Sequence, residues 1–242
     1  MNSRRSLISK GERFMIKEIA NINFIKLDLE DSFKTYRTDI EEFWDTFHRT
    51  NPDSYSEKLL NVFDISEDEQ GYTLSVDWIN FYEALYSKHT ENIKTCPLFS
   101  AGYVITCDGY YCLAVDANGN INLIGGVSSV EDMEDSKFVP ELCLIREFQE
   151  EIGVDIQGED FTYELKYIKA PEGNEIYFPV GLIYQVRTKF TKDELENIFR
   201  NSAHDNELQS IKFLTRNEKE IFRHNTRRPY INELFDLIQK IL

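Results

Sequence analysis

Between Pro140 and Asp155 the chain reads PELCLIREFQEEIGVD, a stretch that groups acids in a pattern able to do chemistry. At about 100° per residue, with Glu147 at zero, Glu150 falls near 300° and Glu151 near 40°, while Leu142, Ile145, Phe148 and Ile152 fall between about 100° and 220°. The spacing predicts a helix that starts near Pro140, a residue suited to a first turn, and ends at Gly153, with three carboxylates on one face. Carboxylates at i, i+3 and i+4 repel one another by a few tenths of a kcal/mol per pair unless a cation sits among them. Hard oxygen donors of this kind suit Mg²⁺, with Mn²⁺ as a substitute. In a chain with 43 Asp and Glu residues, an amphipathic helix with an acidic solvent face explains the same spacing. The Gly125–Gly126 pair after a strand, the acidic loop that follows it and the Glu-Glu-Ile-Gly-Val ending favour the cation site.

The elements that must position this helix are legible on both sides of it. From Ala101 the runs GYVITC, YYCLAV and INLI are separated by Asp108-Gly109 and Asn118-Gly119, which predict tight hairpins with type I′ turns. This antiparallel meander delivers the chain to Gly125-Gly126, and the polar stretch SSVEDMEDSK then leads into the helix. Beyond Gly153, FTYELKYIK, the runs around EIYFPVGLIYQVRTKF, and IKFL read as strands, and 193–200 and 228–242 as helices. The last helix places Ile231, Leu234, Phe235, Ile238 and Leu242 on one face. Before residue 95, a helix over 36–47 aligns Ile40, Phe43, Trp44 and Phe47; Asn51-Pro52 marks a turn; 59–65 and 72–78 read as strands; and a helix spans about 79–88. The division falls at 95/96, giving an N-terminal extension over 1–95 and a second domain over 96–242. Strands and helices mix without βαβ regularity, which predicts an α+β layered sandwich.

Composition narrows the function. A formal charge of −16 repels a phosphate backbone and argues against a broad nucleic-acid groove. The same charge means that a phosphorylated small molecule needs a divalent cation between itself and the protein. No run approaches the roughly 18 apolar residues of a membrane span, and the N-terminal 24 residues lack the apolar core of a secretory signal. Cys96, Cys107, Cys112 and Cys143 are too sparse for a disulfide scaffold and read as reduced, mostly buried thiols of a soluble cytoplasmic protein. A homodimer is left open.

Arg146-Glu147-Phe148-Gln149-Glu150-Glu151-Ile152-Gly153-Val154 fills the second half of the signature G-x5-E-x7-R-E-U-x-E-E-x-G-U, where U is a bulky apolar residue, and the chain thereby resembles the Nudix hydrolases over about residues 98–220. The first half departs from it. Gly126 and Arg146 lie 20 positions apart where the signature allows 14, so six residues are extra, and the position eight before Arg146 holds Phe138 where the family has Glu. The resemblance implies a Nudix α/β/α sandwich with a mixed, largely antiparallel sheet, and Mg²⁺-dependent cleavage of a phosphoanhydride in a nucleoside-diphosphate-linked substrate, with a nucleotide sugar as one candidate. It implies Glu150, Glu151 and the Gly125 carbonyl as metal ligands, Glu147 as a ligand or as the base for water, Arg146 as the group that orients Glu147, and Glu207 as a further ligand. Glu131 or Glu134 would supply the missing upstream acid, or the enlarged loop would leave the site inactive and the chain a nucleotide-binding or regulatory module. Asp205, His204, Glu172 and Glu175 read as solvated turn residues, and Trp44, Tyr72, Trp78, Phe81 and Tyr82 as core before base-stacking groups. The order of elements before residue 95 resembles the extensions of some nucleotide-sugar Nudix enzymes.

Overall fold

The protein is described by a computed structural model over residues 14–27, 33–52, 54, 56–172, 177–202, 208–215 and 229–241. The apolar runs anticipated from the sequence beyond residue 95 pair into one mixed sheet of eight strands, one of them an N-terminal strand that the sequence reading did not anticipate. Its path is β1 (Phe14–Glu18), β11 (Phe161–Pro171), β12 (Val180–Thr188), β5 (Leu98–Ile105), β6 (Tyr111–Asp116) and β13 (Leu208–Leu214), with β7 (Ile121–Asn122) on β6 and β8 (Ile124–Val127) on β5. All these pairings are antiparallel except β12 with β5, whose register sets Val180 opposite Leu98 and Arg187 opposite Ile105.

Helices cover both faces of this sheet. On one side lies α3 (Pro140–Ile152): Gly102 of β5 has no side chain where the Phe148 ring passes, and a Cβ there would press on it. On the other lies α5 (Pro229–Ile241), whose Tyr230 and Phe235 meet Phe99 and Tyr111 with ring centroids 6.3 and 6.0 Å apart. Successive residues of a strand face opposite ways, so Phe99 and Gly102 belong to different faces and the architecture is an α/β/α sandwich. On α5, Ile231, Leu234, Phe235 and Ile238 are buried as the periodicity predicts, and Leu242 lies outside the described residues. A third helix, α4 (Lys192–Asn201), starts on a Thr191–Glu194 capping box and buries Leu195 and Phe199.

The segment before residue 95 forms a second, three-stranded sheet of order β2 (Ile22–Lys26), β4 (Gly71–Asn80), β3 (Lys58–Asp68), with α1 (Arg37–Thr50) and α2 (Phe81–Thr90) beside it. On α1 only Ile40 is fully enclosed; Trp44 stands half-buried among Phe47, His48, Phe81 and Tyr82. Tyr72 is part of the core, and Trp78 packs against it. This segment is hydrogen-bonded into the rest of the molecule. β1 is an edge strand of the large sheet, and β3 donates from Leu60 to the Ser128 carbonyl at 3.0 Å and from Val62 to that of Cys96 at 2.9 Å.

The hairpins form where Asp-Gly and Asn-Gly predict them, with a different turn. Among the described residues only Glu91, Asp135 and Ser136 have positive φ without being glycine, so Asp108 and Asn118 do not supply the first left-handed residue of a type I′ turn. Instead Gly109 donates to Thr106 at 3.0 Å and Gly119 to Asp116 at 2.8 Å, each glycine taking the left-handed position that closes a three-residue loop as a bulge. The two consecutive left-handed residues of a type I′ turn occur at Asp135 and Ser136, inside the segment read as loop. There β9 (Met133–Glu134) and β10 (Lys137–Phe138) form a small hairpin.

Candidate active site

α3 is held by local rules at both ends. Pro140 occupies its first turn, and Gly153, at φ 69°, closes it in the left-handed conformation with its N–H donating to Gln149 and Phe148 carbonyls. The buried stripe runs through Cys143, Leu144, Phe148, Glu151 and Ile152. It is rotated from the predicted one: Leu142 and Ile145 are only half-buried, and two of the three acids turn inward instead of sharing a solvent face. Glu151 is 7% exposed and the Glu147 side chain 12%, whereas that of Glu150 is 47% exposed. A merely solvated acidic face does not bury its carboxylates, because burying a charge is costly unless something pairs with it.

β8 makes room for them. The Gly125 N–H donates to Glu151 Oε2 at 2.8 Å. A Cβ on Gly126 would fall onto the Glu147 carboxylate, and one on Gly125, at φ 148°, would overlap the Ser100 carbonyl. The Gly-Gly pair is therefore required by the approach of the helix acids to the strand. Gly125 meets the acids here through its N–H, where the resemblance implied its carbonyl.

Arg146 ties the acids together. Its Nε and Nη2 donate to Asp132 Oδ1 and Oδ2 at 3.1 and 3.2 Å, Nη1 to Glu147 Oε1 at 2.7 Å and Glu150 Oε2 at 3.0 Å, and Nη2 to the Val127 carbonyl at 3.2 Å. Burial works against the guanidinium's charge, and the hydrogen bonds to Asp132 with the nearby carboxylates more than offset it, raising its pKa further. Burial also dominates at Glu147: it pushes the carboxyl up to about 7 against the pull of Arg146. A carboxyl poised near neutrality suits proton transfer, provided the reacting proton comes within reach.

The loop acid that meets Arg146 is Asp132, while Glu131 and Glu134 are both exposed. Asp132 is 1% exposed and accepts from the Ser129 N–H at 2.7 Å as well as from Arg146. Counting back from Arg146 misses it, because the six extra residues lie between the two. Counting forward finds it: Gly126, five residues, then Asp132. The insertion is the β9–β10 hairpin, Met133 to Phe138, and Val139 N–H donates to the Asp132 carbonyl at 3.0 Å across its base. With the hairpin removed, Gly126, Asp132 and Arg146 stand at G-x5-D-x7-R, Asp replacing Glu. That is the spacing of the first half of the signature, interrupted by one insertion.

No protein-family model matches the chain, and no curated protein does. Among solved structures it is similar to a Nudix-family hydrolase of Clostridium perfringens (16% identity, 58% of this chain and 97% of that one, TM-score 0.39). It is also similar to the DR0079 protein of Deinococcus radiodurans (13%, 74% and 97%, TM-score 0.48) and to the Nudix domain of Shewanella oneidensis NrtR, crystallised with ADP-ribose (14%, 66% and 97%, TM-score 0.39).

The structure thus brings Arg146, Glu147, Glu150, Glu151 and Gly125 together. Glu207, Asp205, His204 and Glu175 lie outside the described residues, and Glu172 is exposed. The acidic cluster also gains a neighbour that sequence reasoning missed. Glu57, just before β3, has its carboxyl raised first by lost hydration and then by Glu131, Asp132 and Glu150, with Arg146 opposing, so it lies in the field of the same site. The charged groups that act on it lie far from it in the chain, and no local pattern marks it. Among the described residues no three His, Cys, Asp or Glu side chains are gathered as a metal-ligand group; Arg146 and the Gly125 N–H hold the acids instead. The donors nonetheless fit a hard divalent cation in kind and charge, since Asp132, Glu147 and Glu150 are carboxylates set around a single guanidinium and Glu151, on the same helix, is held by the Gly125 N–H. The shallow cleft lined by Gly153, Asp155, Phe161, Phe190 and Ile198 lies past the far end of α3, and none of these carboxylates lines it.

Proposed function

We propose that this chain is a divergent Nudix hydrolase that cleaves a phosphoanhydride bond in a nucleoside-diphosphate-linked substrate with the help of Mg²⁺ or Mn²⁺. The observation that carries the reading is the inward turn of Glu147 and Glu151 against Gly125-Gly126, which a solvated helix face does not require. Glu150, Glu151, Glu147 and, outside the described residues, Glu207 are the residues that would hold the cation, which when bound neutralises the diphosphate and acidifies water. Within the protein's own groups, Glu147 receives a proton at its carboxylate, Arg146 fixes that carboxylate's direction through the 2.7 Å contact, and Asp132 fixes Arg146. A charge of −16 agrees with a small anionic substrate met through a cation and not with a nucleic-acid partner. The described helices contain none long and apolar enough to cross a membrane, and Cys96, Cys107, Cys112 and Cys143 are all free thiols, which fits a cytoplasmic location.

A panel of nucleotide sugars, ADP-ribose and dinucleoside polyphosphates with Mg²⁺ or Mn²⁺ is expected to give a nucleoside monophosphate from at least one member. Glu150→Gln should lower that turnover about 100-fold or more, as befits loss of a charge-stabilising group worth several kcal/mol. Absence of product across the panel would overturn the reading. One observation favours a binding module instead: Arg146 already bridges Glu147 and Glu150, satisfying the acids without a cation. In that case a ligand of the panel raises Tm and is recovered intact.

A further inference from the structure

Arg146 is aimed by a chain of contacts that begins outside the Nudix box. In β3, the Leu60 N–H donates to the Ser128 carbonyl at 3.0 Å, and Leu59 bridges antiparallel to Ser129. Ser129 then caps the 3₁₀ turn Val130–Asp132: its hydroxyl accepts from the Glu131 N–H at 3.2 Å and its own N–H donates to Asp132 Oδ2 at 2.7 Å. Asp132, so fixed, takes Nε and Nη2 of Arg146 in a two-pronged contact. The N-terminal sheet has a second grip on the same segment, because Phe24 of β2 meets Phe138 of the inserted hairpin edge-on at 5.1 Å. Ser128, Ser129 and Asp132 are all buried, so solvent does not substitute for a lost partner at little cost. We propose that β3 and Ser129 are positioning elements of the active site, which set the direction of Arg146, and through it Glu147, by fixing Asp132.

The assignment follows from how the contacts are divided. Nη1 of Arg146 serves the helix acids, while Nε and Nη2 donate to three oxygens of the loop and reach back to the helix only through a 3.8 Å contact from Nη2 to Cys143 Sγ, so the plane of the guanidinium is decided by where the loop stands. A 3₁₀ turn of three residues has little stability of its own. Its place is decided by the strand it is bonded to, and that strand belongs to the N-terminal segment. The hydrolytic consequence rests on the function proposed above; the positioning itself does not.

Two readouts on the full chain separate them. The first is the Nε–H resonance of Arg146 in a nitrogen–proton spectrum, assigned by its disappearance in Arg146→Lys. The second is kcat and KM on whichever panel substrate turns over. Ser129→Ala and Asp132→Asn are expected to shift the resonance and speed its exchange with water, and to lower kcat about 10- to 100-fold with KM changed less than about threefold, as displacement of a catalytic group by about 1 Å does. Ser129→Thr, which keeps the cap, should restore both. Leu60→Pro removes the N–H that reaches Ser128, whereas Leu60→Ala keeps it, so only the proline variant should disturb the resonance. An Arg146 resonance unchanged in Ser129→Ala and Asp132→Asn overturns the proposal, and Ser129→Ala decides the matter if Leu60→Pro does not fold. If no substrate turns over, the hydrolase reading fails by itself while the spectrum still decides the positioning.

Discussion

The two halves of the site are built by different means. The half on α3 and β8 is local and tight: a capped helix carries its acids to a Gly-Gly strand, and a backbone N–H meets Glu151 at 2.8 Å. The half on residues 127–138 is a loop, buried at Ser128, Ser129 and Asp132 and interrupted by an exposed hairpin, and it is held from outside by β3 and by Phe24. The first half tolerates almost nothing because backbone and carboxylate already touch. The second carries six extra residues because its ends are closed by a hydrogen bond, so the hairpin hangs outside the constellation that matters.

The sharpest way to break that contrast is to add a Cβ to the tight half. Gly125→Ala combines a strained φ of 148° with overlap on Ser100, and Gly126→Ala sets a methyl on the Glu147 carboxylate. Gly125→Ala should cost roughly 2 to 5 kcal/mol in denaturant unfolding, from strain plus overpacking, and Gly126→Ala about 1 to 3 kcal/mol from overpacking alone. A loss below about 1 kcal/mol would show that α3 stands further from β8 than the contact implies.

A pH series tests the same half by its charge. The Glu147 carboxyl rises from 4.5 to about 7 on folding, so its contribution to stability is fully present below pH 4.5 and is lost as pH climbs through about 7. Without metal, wild-type protein should therefore lose more stability than Glu147→Gln across that window, by on the order of 3 kcal/mol at most. Thermal melts in chelator at pH 5 and pH 8 give the difference; equal slopes for the two proteins would contradict the burial of Glu147. Metal should reverse the sign by favouring the ionised form.

The mildest effect belongs to the loop half. Excising Met133 to Phe138, so that Asp132 is followed by Val139, should leave a folded protein weakened by only about 1 kcal/mol, chiefly the lost Phe24–Phe138 ring contact. Tm and the Arg146 resonance are the measurements. Loss of folding in this variant would mean that the hairpin is part of the site rather than an appendage to it.

α3 was legible from the sequence because its determinants are its own residues: Pro140 at the start, Gly153 at the end and apolar positions at helical spacing between. The meander was legible for the same reason, although the turn type was not, since an Asp-Gly or Asn-Gly pair suits both a two-residue turn and a three-residue bulged loop. The rotation of the buried stripe escaped the periodicity, because Leu142 and Ile145 have the right chemistry to be inside and Glu151 the wrong one. Only the glycine strand opposite makes an inward acid tolerable.

By itself the sequence determined which residues form the acidic helix, which strands precede it, and that a net charge of −16 calls for a cation if phosphate is to approach. Those are matters of local propensity and of total charge, which need no partner in space. The tertiary structure decided that Asp132 is the loop acid that meets Arg146, that Glu147 and Glu151 face inward, and that β1 and β3 of the N-terminal segment join the sheet and the loop beside those acids. Each of these depends on contacts between residues far apart in the chain, where a hydrogen bond or an ion pair is set by the packing of whole elements and leaves no spacing for the sequence to show.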